Sequence, residues 1–326
     1  MRQWPGAMAA ILWGGVAAGP VAGAQDAPPG AFEAGAPLGV TVDGRHQPMS
    51  SNVRVFGAIV SAESCIYDRS RRLIMVVSRG AAQTEAPNDG FVSLLNPDGS
   101  VHTAKWIGAS RAGLILNQPF GSDIQGGRLY LADSDGGTAD GAARVSVIRV
   151  FDVASGAPVR AIRVPDSPWF NDIAVAPDGT IYATQTGSPD GRVPMRVYRI
   201  DADGTARVLV DGAPLSLPNG IALDPDGNIV VVNLGNRDVL TFSPSGKLLN
   251  TEQAAQSGND GLVILPDGTR YISSVREGGI QRMRPGRPAE LIARNIPSAA
   301  SMCHDPDRNQ LIIPMNPNNA VAIVRL

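Results

Sequence analysis

The sequence predicts an all-β fold, a six-bladed β-propeller of four-stranded antiparallel blades whose ring is closed by an N-terminal strand joining the last blade. Three observations predict it. Thirty-seven glycines and 26 prolines among 326 residues are well above the usual share of about one residue in eight, which favours short elements joined by tight turns. Three segments, Phe170 to Tyr182, Pro218 to Val230 and Asn259 to Tyr271, each hold a short apolar strand, a Pro-Asp-Gly turn and a second apolar strand, a hairpin with its turn chemistry written in. With weaker copies included, the second strands start at Leu73, Leu129, Ile181, Ile229, Arg270 and Leu311, 41 to 56 residues apart, the repeat length of a four-stranded blade.

From the N-terminus, Arg2, an apolar run from Ala7 to Val21 and the small-residue site Ala22-Gly23-Ala24 read as an export signal cut near Ala24/Gln25. Residues 1–24 are therefore expected to be a signal peptide, and the mature chain periplasmic or secreted. Residues 25–48, rich in Pro, Gly and Ala, read as a flexible lead-in, and 49–326 as the propeller. The weaker hairpins run from Glu63 to Val77, Pro119 to Ala132 and Ser301 to Pro314. A second hairpin follows in five units, turning at Asp98-Gly99, Ser155-Gly156, Asp203-Gly204, Ser245-Gly246 and Pro285-Gly286. Two hairpins make one blade, with strands A to D from the axis outward. The sixth unit ends early, since Ala320 to Leu326 supplies only strand C. Asn52 to Val60 is available as its missing outer strand, and that sharing leaves no unpaired blade edge.

Composition sets further bounds. At 43% hydrophobic and 18% charged residues the chain can bury a sizeable core. Its 28 basic and 30 acidic side chains give a net charge of -2, with no basic stripe interleaved with aromatics, so nucleic acid is not an expected partner. No stretch beyond the signal is long and apolar enough for a membrane helix. A small-molecule substrate is expected instead.

Ten residues before each second-strand start lie Glu63, Pro119, Asn171, Asn219, Asp260 and Ser301. All six begin an innermost strand, so they face the central channel at one height. Glu63, Asn171, Asn219 and Asp260 carry hard side-chain oxygens. Two carboxylates match one divalent cation; the absence of Cys and His from this ring favours calcium, magnesium or manganese before zinc, and calcium is the first expectation. Asx residues also start strands for local turn reasons, a reading that covers Asn171, Asn219 and Asp260 singly but not Glu63.

These motifs resemble the SMP-30/gluconolactonase/LRE-like family of regucalcin-type six-bladed propellers. The residues that carry the resemblance are Ala62-Glu63-Ser-Cys-Ile-Tyr-Asp68 with Arg72-Leu-Ile-Met-Val, Phe170-Asn171-Asp172, Pro218-Asn219-Gly220 and Asp260-Gly261; it covers about residues 52 to 326. The resemblance implies a catalytic divalent metal held by Glu63, Asn171, Asn219 and Asp260, with Asp260 also the general base, and hydrolysis of a lactone or related ester. The chain departs from sugar-lactone members in placing Trp169 where they have an Arg two residues before the ligand Asn. An indole offers stacking and one donor but no charge, so a less polar lactone or an aryl ester fits as well; Trp169 also reads as rim packing.

Loops between strands B and C open on the metal face and are expected to set specificity. Arg79, Gln185, Asn233 and Arg276 are the polar candidates for substrate contact there, each equally readable as an ordinary solvated residue. Cys65 and Cys303 lie in blades that adjoin across the closure. Their equivalent positions should project the same way round the ring, so they read as two buried small hydrophobes in preference to a disulfide. His46, His102 and His304 share no register, and no nucleophile elbow, P-loop or dinucleotide fingerprint occurs. A metal-dependent hydrolase is the leading reading. A non-catalytic ligand- or protein-binding propeller is the alternative, and a strictosidine-synthase-like condensation shares the architecture but typically lacks this metal set.

Overall fold

The computed structural model describes residues 39–326, apart from 44, 57, 58 and 83. The expected signal peptide lies outside the described residues. Six four-stranded antiparallel sheets follow one another along the chain. Their innermost strands are Ala62–Asp68, Ser122–Gln125, Ile173–Val175, Pro218–Leu223, Asn259–Ile264 and Cys303–Asp305. The second strands are Leu73–Ser78, Arg128–Asp135, Ile181–Gln185, Ile229–Asn233, Arg270–Ser274 and Gln310–Pro314, each starting within one residue of its predicted position. Innermost strands of blades 1 to 5 contact one another in turn around the axis, and the last blade's contacts the first's. The protein is a six-bladed β-propeller.

Closure follows the predicted scheme. Val53–Phe56 pairs antiparallel with Val321–Arg325 as the outer strand of the last blade, Val53 opposite Val324 and Phe56 opposite Val321. Ahead of it, Gly39–Val42 and Arg45–Pro48 form a two-stranded hairpin within the segment read as a lead-in.

Each blade grades from apolar to polar outward, because only its inner strands are covered on both faces by neighbours. Leu73–Ser78, Ile229–Asn233 and Gln310–Pro314 are buried throughout, whereas the outer strand Leu248–Gln253 is largely exposed. Alternation sends successive side chains to opposite interfaces. Ile181 and Ala183 enter the core shared with blade 2, and Tyr182 enters the core shared with blade 4. Apolar clusters fill all six blade interfaces. At the repeated turns Gly179, Gly227 and Gly268 take φ of 85°, 78° and 79°, left-handed values that glycine adopts without steric cost. Among the described residues no helix is long and apolar enough to cross a membrane.

One expectation is corrected. Cys65 and Cys303 form a disulfide, with Cα atoms 5.5 Å apart, inside the usual bridging range. Both side chains enter the core between the last and first blades. Near the axis the innermost strands of adjacent blades lie side by side, so equivalent positions come within reach instead of being held apart by the width of a blade.

Candidate active site

Three of the four predicted ligand positions sit in β-bulges. Strand pairing slips between Ala62 and Ser64, between Pro218 and Ile221, and between Asn259 and Leu262, which places Glu63, Asn219 and Asp260 out of ladder register. Bulges re-aim side chains, and these occur at equivalent heights in blades 1, 4 and 5. Glycine follows Asn219 and Asp260 for a packing reason. A Cβ on Gly220 would stand 2.2 Å from the Asp260 carbonyl oxygen, and one on Gly261 would stand 2.7 Å from the Ser301 Cα. At these two glycines the blade packs directly on the next one.

Hydroxyls on the first strand of blade 1 and on the second strands of blades 3 and 5 tie the ring together. Ser64 Oγ donates to the Phe120 carbonyl at 2.6 Å, Thr184 Oγ1 donates to the Asn219 carbonyl, and Ser273 Oγ donates to the Ala300 carbonyl at 2.7 Å. Asn171 stands just before Ile173–Val175. Its N–H donates to Thr184 O at 2.8 Å and its carbonyl accepts from Gly121 N at 2.8 Å. Asp172, beside it, bridges blades 3 and 4 by accepting from Ile173 N at 2.9 Å and Ile221 N at 3.1 Å. Asp123 bridges blades 2 and 3 in the same way, accepting from Ile124 N and Val175 N, each at 2.7 Å.

Glu63, Asn171, Asn219 and Asp260 are all buried. Asn219 Nδ2 donates to Asp260 Oδ2 at 3.4 Å, leaving Asn219 Oδ1 and Asp260 Oδ1 buried without a protein partner. Glu63 Oε2 accepts from Arg79 Nη1 at 3.4 Å and from Asn316 Nδ2. Burial raises the Glu63 carboxyl above its ordinary range, and Arg79 only partly offsets this. Burial, followed by the charges of Glu63 and Asp172, raises Asp260 well above its usual value. Burial also lifts Asp172 to about 7 and Asp123 to about 6. The channel therefore buries acidic groups whose charged forms the protein itself only partly stabilises.

This donor set fits a hard divalent cation: two carboxylates and two amides, among whose oxygens two are buried with lone pairs unused. Among the described residues no group of three or more His, Cys, Asp or Glu is arranged to hold a metal; half of the predicted ligands here are amide oxygens.

The rim candidates divide. Arg79 reaches the ring through Glu63, and its guanidinium lies 4.5 Å from the Phe120 ring centroid. Trp169 stands beneath Arg144, whose guanidinium is 5.6 Å from the indole centroid and 5.8 Å from that of Phe120. Gln185 is buried, its Nε2 donating to Pro194 O at 2.7 Å and its Oε1 without a partner. Asn233 is committed to its own blade: Oδ1 accepts from Ser216 N at 3.0 Å and Nδ2 donates to Asp238 O at 3.2 Å. Arg276 is exposed, its stem lying over Gly258. Sequence reasoning missed Arg144, Asn316 and Asp172. The first two border strand B–C loops of blades 2 and 6, so loop position was the available signal, while Asp172 lay inside a quoted motif without a role.

Residues 123–314 match the profile of the SMP-30/Gluconolactonase/LRE-like region. A stretch of 123 residues, 32% of the chain, is 29% identical to the pentonolactonase XacC of Haloferax volcanii and spans 41% of that protein's length. Among solved structures, a gluconolactonase from Xanthomonas campestris superposes with a TM-score of 0.57 at 18% identity, covering 91% of this chain and 99% of the other. A luciferin-regenerating enzyme gives 0.59 at 16%, covering 83% and 93%, and virginiamycin B lyase from Staphylococcus aureus gives 0.58 at 11%, covering 85% and 99%. At these identities the likeness is one of fold. By its profile match, the chain belongs to the SMP-30/gluconolactonase/LRE-like family.

Proposed function

We propose that the protein is a divalent-cation-dependent hydrolase that opens a lactone or a related ester. The observation that carries this reading is the pair of buried, unpartnered oxygens, Asn219 Oδ1 and Asp260 Oδ1, in an acidic channel mouth. Glu63, Asn171, Asn219 and Asp260 would hold the cation, with calcium the first choice and magnesium, manganese or zinc the alternatives. When bound, the cation supplies Lewis-acid polarisation of the acyl carbonyl. Asp260 is the general base. Its carboxyl has a raised proton affinity, which suits it to take a proton from the attacking water. Water adds to the acyl carbon, the ring C–O bond breaks, and the proton held by Asp260 passes to the departing oxygen, giving a hydroxy acid. Arg79 and Asn316 hold Glu63 in place from the rim.

The test is turnover of a panel of lactones and aryl esters before and after chelation with EDTA, with the metal content of Glu63→Ala and Asp260→Ala measured alongside. Chelator-sensitive hydrolysis and loss of bound metal in both variants are expected. Inactivity across the panel, with metal content unchanged in the variants, would instead support a non-catalytic binding propeller.

We also propose that the protein is exported to the periplasm or beyond. Arg2, the apolar run from Ala7 to Val21 and Ala22-Gly23-Ala24 support this, as does the Cys65–Cys303 disulfide, a bond of oxidising compartments. A mature N-terminus at Gln25 in the periplasmic or culture fraction is the expected result; an intact Met1 or Arg2 terminus in the cytosolic fraction would overturn it.

A further inference from the structure

Two guanidinium groups crowd one aromatic ring beside the acidic site. Arg79 and Arg144 both lie within 6 Å of the Phe120 centroid, and Arg144 also lies over Trp169. Neither charge is well compensated. Arg79 has a single long contact to Glu63 at 3.4 Å, and its Nε is buried without a partner. Arg144 bonds to neutral oxygens, through Nε to Ser134 Oγ and through Nη2 to Gln118 Oε1, each at 2.8 Å, and forms no ion pair among the described residues. The nearby Asp133 carboxylate is already engaged, accepting from Arg149 Nε at 2.7 Å, Asn117 N at 3.0 Å and Gln118 N at 2.7 Å. That same carboxylate fixes the main chain of Gln118, whose side chain orients Arg144. The guanidinium is therefore held on a buried frame instead of swinging free from a loop.

Two planar, like-charged groups beside one aromatic ring at a half-buried mouth cost stability unless an anion joins them. A carboxylate fits best, because a guanidinium fork matches its two oxygens. Phe120 and Trp169 add apolar ring faces on which the body of a lactone can stack. We propose that Arg79 and Arg144 form a carboxylate subsite beside the catalytic ring, so that the preferred substrate is a lactone bearing a carboxylate substituent. This rests on the hydrolase reading above and refines it. Arg144, lying over Trp169, supplies there the positive charge that the indole lacks.

The test compares kcat/KM for a γ-butyrolactone bearing a ring carboxylate with that for its carboxamide. A preference of about 100-fold for the carboxylate is expected from a site built around a charged partner, collapsing to within about threefold in Arg144→Gln and partly restored in Arg144→Lys. Calorimetric titration supplies a readout that does not depend on turnover. α-Hydroxyglutarate, which keeps the ring carboxylate after opening, should bind the wild-type protein at least about tenfold more tightly than γ-hydroxybutyrate, which has only the newly formed one; Arg144→Gln should abolish the difference. A wild-type preference near one, a preference that survives in Arg144→Gln, or equal binding of the two hydroxy acids overturns the subsite. Absence of all lactone hydrolysis with the binding difference intact overturns the hydrolase reading and leaves the subsite standing.

Discussion

Asn219 and Asp260 stand side by side on the bulged inner strands of blades 4 and 5, the amide nitrogen of one donating to Oδ2 of the other at 3.4 Å. One contact fixes both groups and leaves each with a buried oxygen directed to no protein donor. A folded protein that keeps such oxygens buried gives up stability for function. Asp260→Asn keeps the shape and removes the charge. Turnover should fall by about a thousandfold, as for loss of a general base. The Asp260 carboxyl is raised in the folded state, so in wild type its favourable contribution is present below the ordinary carboxylate range and is lost as pH rises. In the presence of chelator the variant should therefore be more stable than wild type at neutral pH, by about 1–2 kcal/mol. Paired thermal melts check this; a less stable variant would show that Asp260 is there to hold the fold.

The disulfide between Cys65 and Cys303 spans 238 residues of chain, so it closes almost the whole ring onto itself. A loop of that length restricts the unfolded chain strongly, for a stabilisation of about 2–5 kcal/mol. Cys303→Ser, or wild type treated with reductant, should melt at a lower temperature by the corresponding amount. Reductant should have no further effect on the variant. A melt unchanged by either treatment would mean that the outer-strand pairing alone keeps the ring shut.

What was legible in the sequence follows from what repeats. Glu63, Asn171, Asn219 and Asp260 could be aligned because each blade restarts one hairpin at one offset, and burial of all four ring residues follows from that frame. Arg144 has no counterpart in the repeat. It is the last residue of the loop between the strands Arg128–Asp135 and Val145–Asp152, and only folding shows that Gln118 and Ser134 turn it toward Trp169. Asn233 misled for the converse reason. Its place at the end of strand B suggested a substrate contact, but the local main chain uses both ends of its amide. The disulfide escaped because repeat position gives the offset along a strand and not the distance between strands at the axis.

Closure by an early segment makes the last blade dependent on residues far from it in sequence. Val53–Phe56 supplies the strand pairing on the outer edge of Val321–Arg325, and Val53 and Val55 are buried in the core between the last two blades. A chain starting at residue 60 should expose that edge and those contacts. Removing two buried valines costs about 3–5 kcal/mol on area alone, and the bared strand edge is a template for association. Size-exclusion chromatography should show aggregation, with a lowered melting temperature in whatever remains monomeric. A monomer of unchanged stability would contradict the closure.

Asp123 offers a pH test at a distance from the four ring residues. It accepts two main-chain N–H groups across the interface of blades 2 and 3, yet burial lifts its carboxyl from 3.8 to about 6. A carboxyl raised on folding contributes stability that is full below its unfolded value and is lost as pH rises through the folded one. The window is therefore about pH 4 to 6, and across it this group should take away on the order of 2 kcal/mol. Asp123→Asn replaces one acceptor by a donor, which adds a penalty independent of pH. The expected result is a constant offset, and on top of it a stability difference between wild type and variant that shrinks from pH 4 to pH 6. Denaturant titrations at those two pH values measure it. A difference that stays flat or widens would mean that Asp123 is ionised throughout, held charged by its two N–H donors.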